Sequence, residues 1–170
     1  MLQVLAVSAV AAAGAETYRG GLFRAAQDEF GGVDVLILNA SGGMETEMGE
    51  DYALRLNRDA QNDTLTEALR VLPEGGRVVF VTSHQAHFIR EVETMPEYEQ
   101  VALSKRAGED ALTERIPMLS EKGIDFVVVS ADMIEGTVTA TLLNRARPGA
   151  LDQRRESAGR LYTVQEFAQE

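Results

Sequence analysis

The chain has 170 residues, carries a formal net charge of −11 and contains no cysteine. This length fits one domain, and a hydrophobic content of 45% is an ordinary supply for a globular core. The acidic balance argues against nucleic acid or an anionic membrane as a partner, because both attract clustered Lys and Arg. The lack of cysteine excludes disulfides, thiolate nucleophiles and cysteine-ligated metals.

The first forty residues contain a strand, a helix and a second strand. Residues 3 to 10 favour a short strand, although the alanines that follow could pull the segment helical. No basic residue precedes Arg19, so we expect a buried strand rather than an export signal, and a cytoplasmic protein. Apolar residues at three- and four-residue spacing predict an amphipathic helix over residues 17 to 30. Residues 33 to 38, VDVLIL, form the clearest strand.

The middle of the chain repeats this alternation. A long helix is predicted over residues 49 to 72, and the uncharged run that follows in residues 77 to 82 predicts a strand covered on both faces. A loop of about a dozen residues comes next, and loops of this length are often functional. Thr94 and Glu97 have the spacing of a capping box, so a helix is expected over residues 95 to 120, kinked at Pro117.

The last third contains one more strand and two short helices. Residues 124 to 130, IDFVVVS, predict a strand, and residues 132 to 144 a loop that turns helical. The basic segment 145 to 155 is expected to be mobile, and residues 163 to 169 are expected to begin a helix. Alternating strands and helices predict a single α/β domain over residues 1 to 170 with a parallel sheet.

Polar side chains stand where a ligand site is expected in such a sheet. Parallel sheets bind ligands at the carboxyl ends of their strands, where Thr82 and Ser83 follow an apolar strand and Lys105 lies on the next helix. His84 and His87 lack a third ligand at useful spacing, so we expect no metal site. Ser83-His84 allows a serine hydrolase, but the G-x-S-x-G elbow of that class is missing.

Four stretches resemble elements of the short-chain dehydrogenase/reductase family, in the family's order. VLILNASG over residues 35 to 42 resembles its strand and "NNAG" turn, and Leu56-Asn57 resembles its helix-borne Asn. GGRVVFVTS over residues 75 to 83 resembles the strand that carries its catalytic Ser, and Ser104-Lys105 resembles the end of its "YxxxK" element. The resemblance covers roughly residues 3 to 145.

This resemblance implies a Rossmann-type, doubly wound parallel sheet, here incomplete with about four strands and flanking helices. It implies NAD or NADP as the cofactor and hydride transfer between nicotinamide and a small-molecule carbonyl or alcohol. It also implies a homo-oligomer formed through the helices at 49 to 72 and 95 to 120.

The resemblance gives roles to individual residues. Ser83 would hydrogen-bond the substrate oxygen, Lys105 would hold the nicotinamide ribose and lower the pKa of a Tyr, and Asn57 would anchor a water of the proton relay. The catalytic positions implied are Ser83, Lys105 and Asn57, with Tyr98 as the nearest phenol. The cofactor-binding positions implied are Asn39, Ala40, Ser41, Lys105 and Thr137.

The proton donor of the family is displaced in this chain. Val101 stands four residues before Lys105, where the family has its Tyr, and valine cannot transfer a proton. Tyr98 precedes Lys105 by seven residues, which is about 10 Å along a regular helix. Because helical side chains lean towards the N-terminus, we expect Tyr98 to point away from Lys105.

The family's Gly-rich turn, which receives the pyrophosphate, is absent before Asn39. Counted back from Asn39, the chain begins at about the family's third strand and stops before its seventh. We therefore expect a truncated member whose first strand is separated from the second by two missing strands. Val101 and the absent turn also motivate an alternative, a non-catalytic module derived from the family that serves binding or assembly.

Overall fold

The computed structural model describes residues 4–7, 16–45, 48–49 and 51–169. Their strands form one parallel sheet whose spatial order is the order of the chain. The strands are β1 (Val4–Val7), β2 (Val35–Leu38), β3 (Arg77–Ser83) and β4 (Asp125–Ala131). Helices connect them, so the predicted α/β fold with an incomplete Rossmann-type parallel sheet is confirmed.

The helices lie close to the predicted segments. Helix α1 (Glu16–Phe30) joins β1 to β2. Helix α2 joins β2 to β3 and consists of Tyr52–Leu54, a π turn over Arg55–Asp59 and Ala60–Ala68, without a break. The elements after β3 are α3 (His84–His87), a 3₁₀ turn (Pro96–Tyr98), α4 (Glu99–Thr113) and α5 (Ile116–Glu121). Those after β4 are α6 (Val138–Ala146), α7 (Ala150–Ala158) and α8 (Val164–Phe167).

The main core lies between one face of the sheet and helices α1, α2 and α4, which pack side by side. Along β3, Val78 and Phe80 are buried in this core, whereas Val79 and Val81 on the other face are only half-buried. The described part of the chain therefore buries one face of the strand fully. The sequence predicted that both faces of this strand are buried, and only the face with Val78 and Phe80 is fully buried.

The position of β1 differs from the prediction. Val4 pairs with Val35 and Val7 with Leu38, so β1 lies directly beside β2 with no gap for two further strands. Parallel neighbours need a crossover of about a dozen residues or more. Helix α1, with 15 residues, supplies one. The predicted strand over residues 3 to 10 is confirmed for residues 4 to 7, and its remainder lies outside the described residues.

The segment 145 to 155, expected to be mobile, instead enters helix α7. Gly149 caps this helix in the left-handed region, with φ 86°, where a residue without a side chain is favoured. Two ion pairs hold the helix to the end of β4: Arg154 Nε lies 2.8 Å from Asp132 Oδ1, and Arg155 Nη2 lies 2.5 Å from Glu135 Oε1. The local sequence pattern did not predict this ordered helix, because the acidic partners of Arg154 and Arg155 lie about twenty residues away in the sequence.

The C-terminal helix begins as predicted. Thr163 and Glu166 form a capping box, in which the Thr163 hydroxyl accepts from the Glu166 backbone and the Glu166 carboxylate accepts from the Thr163 backbone. The Glu135 N–H donates to the Tyr162 carbonyl at 2.8 Å, and Glu135 forms a β-bridge with Thr163. These contacts fix the last helix against the loop that follows β4.

The helix predicted over residues 95 to 120 is divided. Met95 rather than Thr94 precedes the 3₁₀ turn, and the buried Thr94 hydroxyl has no hydrogen-bond partner in the described structure, so the predicted capping box is wrong. The helix ends after Thr113 and resumes at Ile116, which puts Pro117 in the first turn of α5, where its missing N–H costs no helical bond. Within the described ranges, no helix is both long and apolar enough to span a bilayer.

Candidate active site

A cleft of about 320 Å³ lies at the carboxyl ends of β2, β3 and β4. Of the residues predicted to form a site, six line it: Asn39, Ser41, Ser83, Tyr98, Lys105 and Thr137. Ala40 and Asn57 are not among its lining residues. The cleft thus brings together three of the four predicted catalytic positions.

Ser83 ends β3 and caps helix α3. Its hydroxyl oxygen accepts a hydrogen bond from the Ala86 N–H at 3.2 Å and another from the Tyr98 hydroxyl at 3.3 Å. The bond from Tyr98 is long, since hydroxyl pairs usually meet at about 2.7 to 2.8 Å, and the bond from Ala86 lies at the upper end of the range for N–H donors. As both bonds are accepted, the Ser83 proton remains available to a ligand in the cleft.

Tyr98 reaches the cleft because it stands outside the regular helix. It ends the 3₁₀ turn and precedes α4, so its side chain does not follow the helical direction expected from the sequence. The residue is only 4% exposed. Burial raises the pKa of the phenol, and the hydrogen bond to Ser83 partly offsets this effect. Tyr98 therefore keeps its proton at neutral pH. Tyr98 and Lys105 line the same cleft, a placement that the regular helical direction did not predict.

Lys105 lies on α4 and presents its ammonium to the cleft without a partner. The side chain is half-buried, and no described residue forms an ion pair or hydrogen bond with it. Burial lowers the pKa of this amine to about 8, because an ammonium loses hydration in the cleft and no carboxylate replaces it.

Val101 belongs to the core rather than to the cleft. It is 4% exposed and packs in a second apolar cluster that also contains Tyr98, Ala102 and Met133. A Cβ added to Gly43 would lie 3.3 Å from Val101 Cγ2, so the turn after β2 contacts the residue closely. Val101 therefore packs beside that turn as part of the apolar cluster.

Asn57 lies in the π turn of α2 and is 2% exposed. Its amide nitrogen donates to the Gly42 carbonyl at 2.9 Å and to the Ser104 hydroxyl at 2.8 Å, and its oxygen accepts from the Gly42 N–H at 3.2 Å. Ser104 in turn donates to the Val101 carbonyl. The Asn57 side chain therefore ties the turn after β2 to α2 and α4.

Three further lining residues of the cleft were not predicted from the sequence: Asp132, Val164 and Phe167. Asp132 follows β4 and accepts from Arg154 and from the Met133 N–H. Burial pushes the pKa of this carboxyl up, but the hydrogen bonds from Arg154 and Met133 and the charges of Arg154 and His84 outweigh it, so the pKa is lowered. Val164 and Phe167 of α8 add an apolar surface.

Thr82 stands on the same strand as Ser83 and also lines the cleft. The residue is 3% exposed, and its hydroxyl has no hydrogen-bond partner in the described structure. A buried hydroxyl without a partner is unfavourable unless a water or a ligand satisfies it. The polar strand end in the sequence was the only signal for it.

Within the described residues, His84 and His87 belong to no cluster of three metal-ligating side chains and to no hydrolase pair. His87 Nδ1 lies 2.7 Å from Glu109 Oε1, and neither histidine is hydrogen-bonded to Ser83 within the described ranges. Among the described residues, no three metal-ligating side chains cluster. The chemistry that the arrangement can support is hydrogen bonding and proton donation by Ser83 and Tyr98, beside the amine of Lys105.

The fold is similar to that of solved reductases. LugOII, a promiscuous reductase of keto-reduction at C1 in lugdunomycin biosynthesis, matches with a TM-score of 0.66 over 85% of this chain and 58% of its own, at 21% identity. The angucycline C-6 ketoreductase LanV, solved with bound NADP, matches with a TM-score of 0.63 over 85% of this chain and 57% of its own, at 22% identity. Enoyl-[acyl-carrier-protein] reductase (NADH) from Aquifex aeolicus VF5 matches at 0.60 over 75% and 54%, with 15% identity. No protein-family model and no curated protein matches the sequence.

The chain spans between 54% and 58% of the length of these three reductases. At identities of 15 to 22%, the similarity shows that the fold is shared. The fold that the short-chain dehydrogenase/reductase resemblance implied is thus confirmed, over part of the length of such proteins.

Proposed function

We propose that the chain carries an NAD(P)-dependent oxidoreductase site of the short-chain type, which moves hydride between nicotinamide and a carbonyl or alcohol of a small molecule. The observation that carries the proposal is the convergence of Ser83, Tyr98 and Lys105 on one cleft at the carboxyl ends of the strands. The likeness of the fold to a ketoreductase solved with NADP supports it.

The residues of the cleft fit the nicotinamide end of such a cofactor. The Thr82 hydroxyl and the Lys105 ammonium lack partners in the described structure, and a ribose or a carboxamide would satisfy both. A volume of about 320 Å³ lies near the lower end of ligand pockets and suits half of a dinucleotide. Lys105 and Thr137 would hold the nicotinamide ribose. Asn39 and Ser41 would face the adenosine side, with Ala40 between them.

Ser83 and Tyr98 would act on the substrate oxygen, while the bound nicotinamide supplies or accepts the hydride. Ser83 donates a hydrogen bond to that oxygen through its free hydroxyl proton. Tyr98, which is neutral at pH 7, transfers the proton. Asn57 acts on this chemistry from outside the cleft, because it fixes Ser104 next to Lys105. The apolar surface of Val164 and Phe167 would contact the carbon skeleton of the substrate and exclude water.

Nucleotide binding and turnover test the proposal. NADH and NADPH fluorescence should change on titration with the protein, and one of them should be oxidised with a panel of ketones and aldehydes. Ser83→Ala and Tyr98→Phe should each lower turnover on the order of 100-fold, the usual effect of losing a proton donor. Ser120→Ala, an exposed serine on α5, is the matched control and should not change it. If neither nucleotide binds nor is oxidised, the proposal is wrong.

The alternative is a binding or assembly module without catalysis. It is favoured by Val101, an apolar core residue that stands at the position where the family has its Tyr. In that case nucleotide or carbonyl compounds would bind with no turnover, and Ser83→Ala would leave binding unchanged. Measurable turnover that Ser83→Ala abolishes would exclude this function.

We also propose self-association through the helices at 49 to 72 and 95 to 120, now α2, α4 and α5. Leu103 on α4 is 45% exposed and offers an apolar contact. Light scattering at micromolar concentration should give a dimer or larger species, which Leu103→Glu should weaken. Val138→Glu, at an exposed apolar position on α6, is the control. A monomer in the unmodified protein would contradict the proposal.

A further inference from the structure

The cleft holds an amine that can act as a nucleophile. The chain has two lysines, Lys105 and Lys122, and only Lys105 lines the cleft. Lys122 caps the end of α5 and is exposed. Lysines withdrawn from water are commonly paired with a carboxylate when burial is complete, and the half-buried Lys105 forms no ion pair with any described residue.

The other titratable groups of the cleft leave Lys105 free. Among the described lining residues these are Tyr98 and Asp132. Asp132 is occupied by Arg154, whose Nε lies 2.8 and 2.9 Å from its two oxygens. The Tyr98 phenol is hydrogen-bonded to Ser83 and keeps its proton. Neither titratable group therefore forms an ion pair or a hydrogen bond with Lys105.

We propose that Lys105 forms a reversible imine with small aldehydes or ketones that enter the cleft. The amine nitrogen donates its lone pair to the carbonyl carbon, a C–N bond forms, and the carbonyl π pair moves to the oxygen, which takes up a proton. The resulting hydroxyl takes up a second proton and leaves as water with the electron pair of the C–O bond. The nitrogen lone pair forms the C=N bond, and the two protons that the nitrogen loses balance the two that the oxygen takes up. One water is released and nothing is oxidised or reduced.

The surroundings of Lys105 favour each part of this step. Since the pKa of Lys105 is about 8, about a tenth of the amine is neutral at pH 7, against fewer than about one in a thousand for an ordinary lysine. Tyr98 is a protonated hydroxyl in the same cleft and can donate to the departing oxygen. Val164 and Phe167 add apolar side chains to the lining, against which the carbon chain of an aldehyde or ketone can pack.

Reductive trapping with butanal tests the proposal in the absence of any nucleotide. The unmodified protein is treated with butanal and cyanoborohydride at pH 7, and peptide mass mapping separates Lys105 from Lys122 and from the N-terminal amine. Because the gain in neutral amine exceeds the loss of nucleophilicity that accompanies a lower pKa, Lys105 should be modified about tenfold faster than Lys122. In urea the preference should disappear, and Tyr98→Phe should reduce it.

Three results would overturn it: equal modification of the two lysines at pH 7, a preference that persists in urea, or no modification at Lys105. The outcome is separate from nucleotide binding, which has its own titration. Failure of trapping with intact NADH or NADPH binding leaves the oxidoreductase proposal standing. Trapping at Lys105 without nucleotide binding would support the imine proposal and contradict the oxidoreductase proposal.

Discussion

The protein has two groups of buried polar atoms that differ in hydrogen bonding, a satisfied side around Asn57 and an unsatisfied side in the cleft. On one side, Asn57 is 2% exposed and makes three hydrogen bonds, to both backbone groups of Gly42 and to Ser104. On the other side, Thr82 is 3% exposed and makes none, and Lys105 has no described partner. Buried polar groups stabilise a fold when satisfied and cost free energy when not. The first group holds the protein together, and the second is available to a ligand.

The largest loss of stability on the satisfied side is expected from a substitution that forces helices α2 and α4 apart. Gly108 on α4 approaches the backbone of α2 so closely that a Cβ would lie 2.0 Å from the Asn57 carbonyl oxygen. Since that oxygen belongs to backbone, no side-chain rotation relieves the contact. Gly108→Ala should lower the free energy of unfolding by about 3 kcal/mol in urea titrations. Gly21→Ala in α1, where the added atom meets nothing within 4 Å, should instead raise it by about 0.5 kcal/mol. A neutral Gly108→Ala would contradict this packing.

Loss of the Asn57 amide should have the next largest effect. Asn57→Ala leaves the N–H and carbonyl of Gly42 without partners, so the free energy of unfolding should fall by about 2 to 3 kcal/mol. Asn62→Ala, on the same helix, removes a half-buried amide and should change it by less than about 0.5 kcal/mol. Equal urea midpoints for the two variants would show that Asn57 does not hold the turn.

The sheet was predictable from the sequence, whereas much of the site was not. Uncharged apolar runs such as Val78 to Val81 identify strands of a parallel sheet from local pattern alone. The neighbour of β1 is a property of topology, and a strand of four residues carries no signal for it. Ser83 and Lys105 were found because strand ends meet at one edge of a sheet.

The remaining site residues depend on contacts that local patterns do not contain. Tyr98 was placed on a helical face, but a 3₁₀ turn redirects its side chain to Ser83. Asp132 is fixed by Arg154 across 22 residues, through a helix that the basic composition of its segment concealed. The physical reason is the same in both cases, because the deciding interaction joins parts of the chain that are far apart in sequence.

On the unsatisfied side, Lys105 should make stability depend on pH. Its pKa is about 8 in the folded chain and 10.5 in the absence of burial, so the unfolded chain binds more protons between these values and stability rises with pH there. Lys105→Met should therefore raise the free energy of unfolding by about 2 kcal/mol at pH 7, and the gain should shrink as the pH approaches 10.5. Urea titrations at pH 7 and pH 10 measure it. Lys122→Met, at an exposed position, should show neither effect.

The smallest expected effect tests this difference in hydrogen bonding most directly. It compares two buried threonines of equal exposure, of which one has a hydrogen-bond acceptor and the other has none described. Thr64 and Thr82 are both 3% exposed, but the Thr64 hydroxyl donates to the Ala60 carbonyl and the Thr82 hydroxyl donates to no described group. Valine keeps the shape and removes the hydroxyl, so Thr82→Val should raise the free energy of unfolding by about 1 kcal/mol, whereas Thr64→Val should lower it by about 0.5 to 1 kcal/mol. If Thr82→Val is instead destabilising by as much as Thr64→Val, then its hydroxyl is satisfied in the free protein. A stabilised Thr82→Val that also binds nucleotide more weakly would assign that hydroxyl to the ligand.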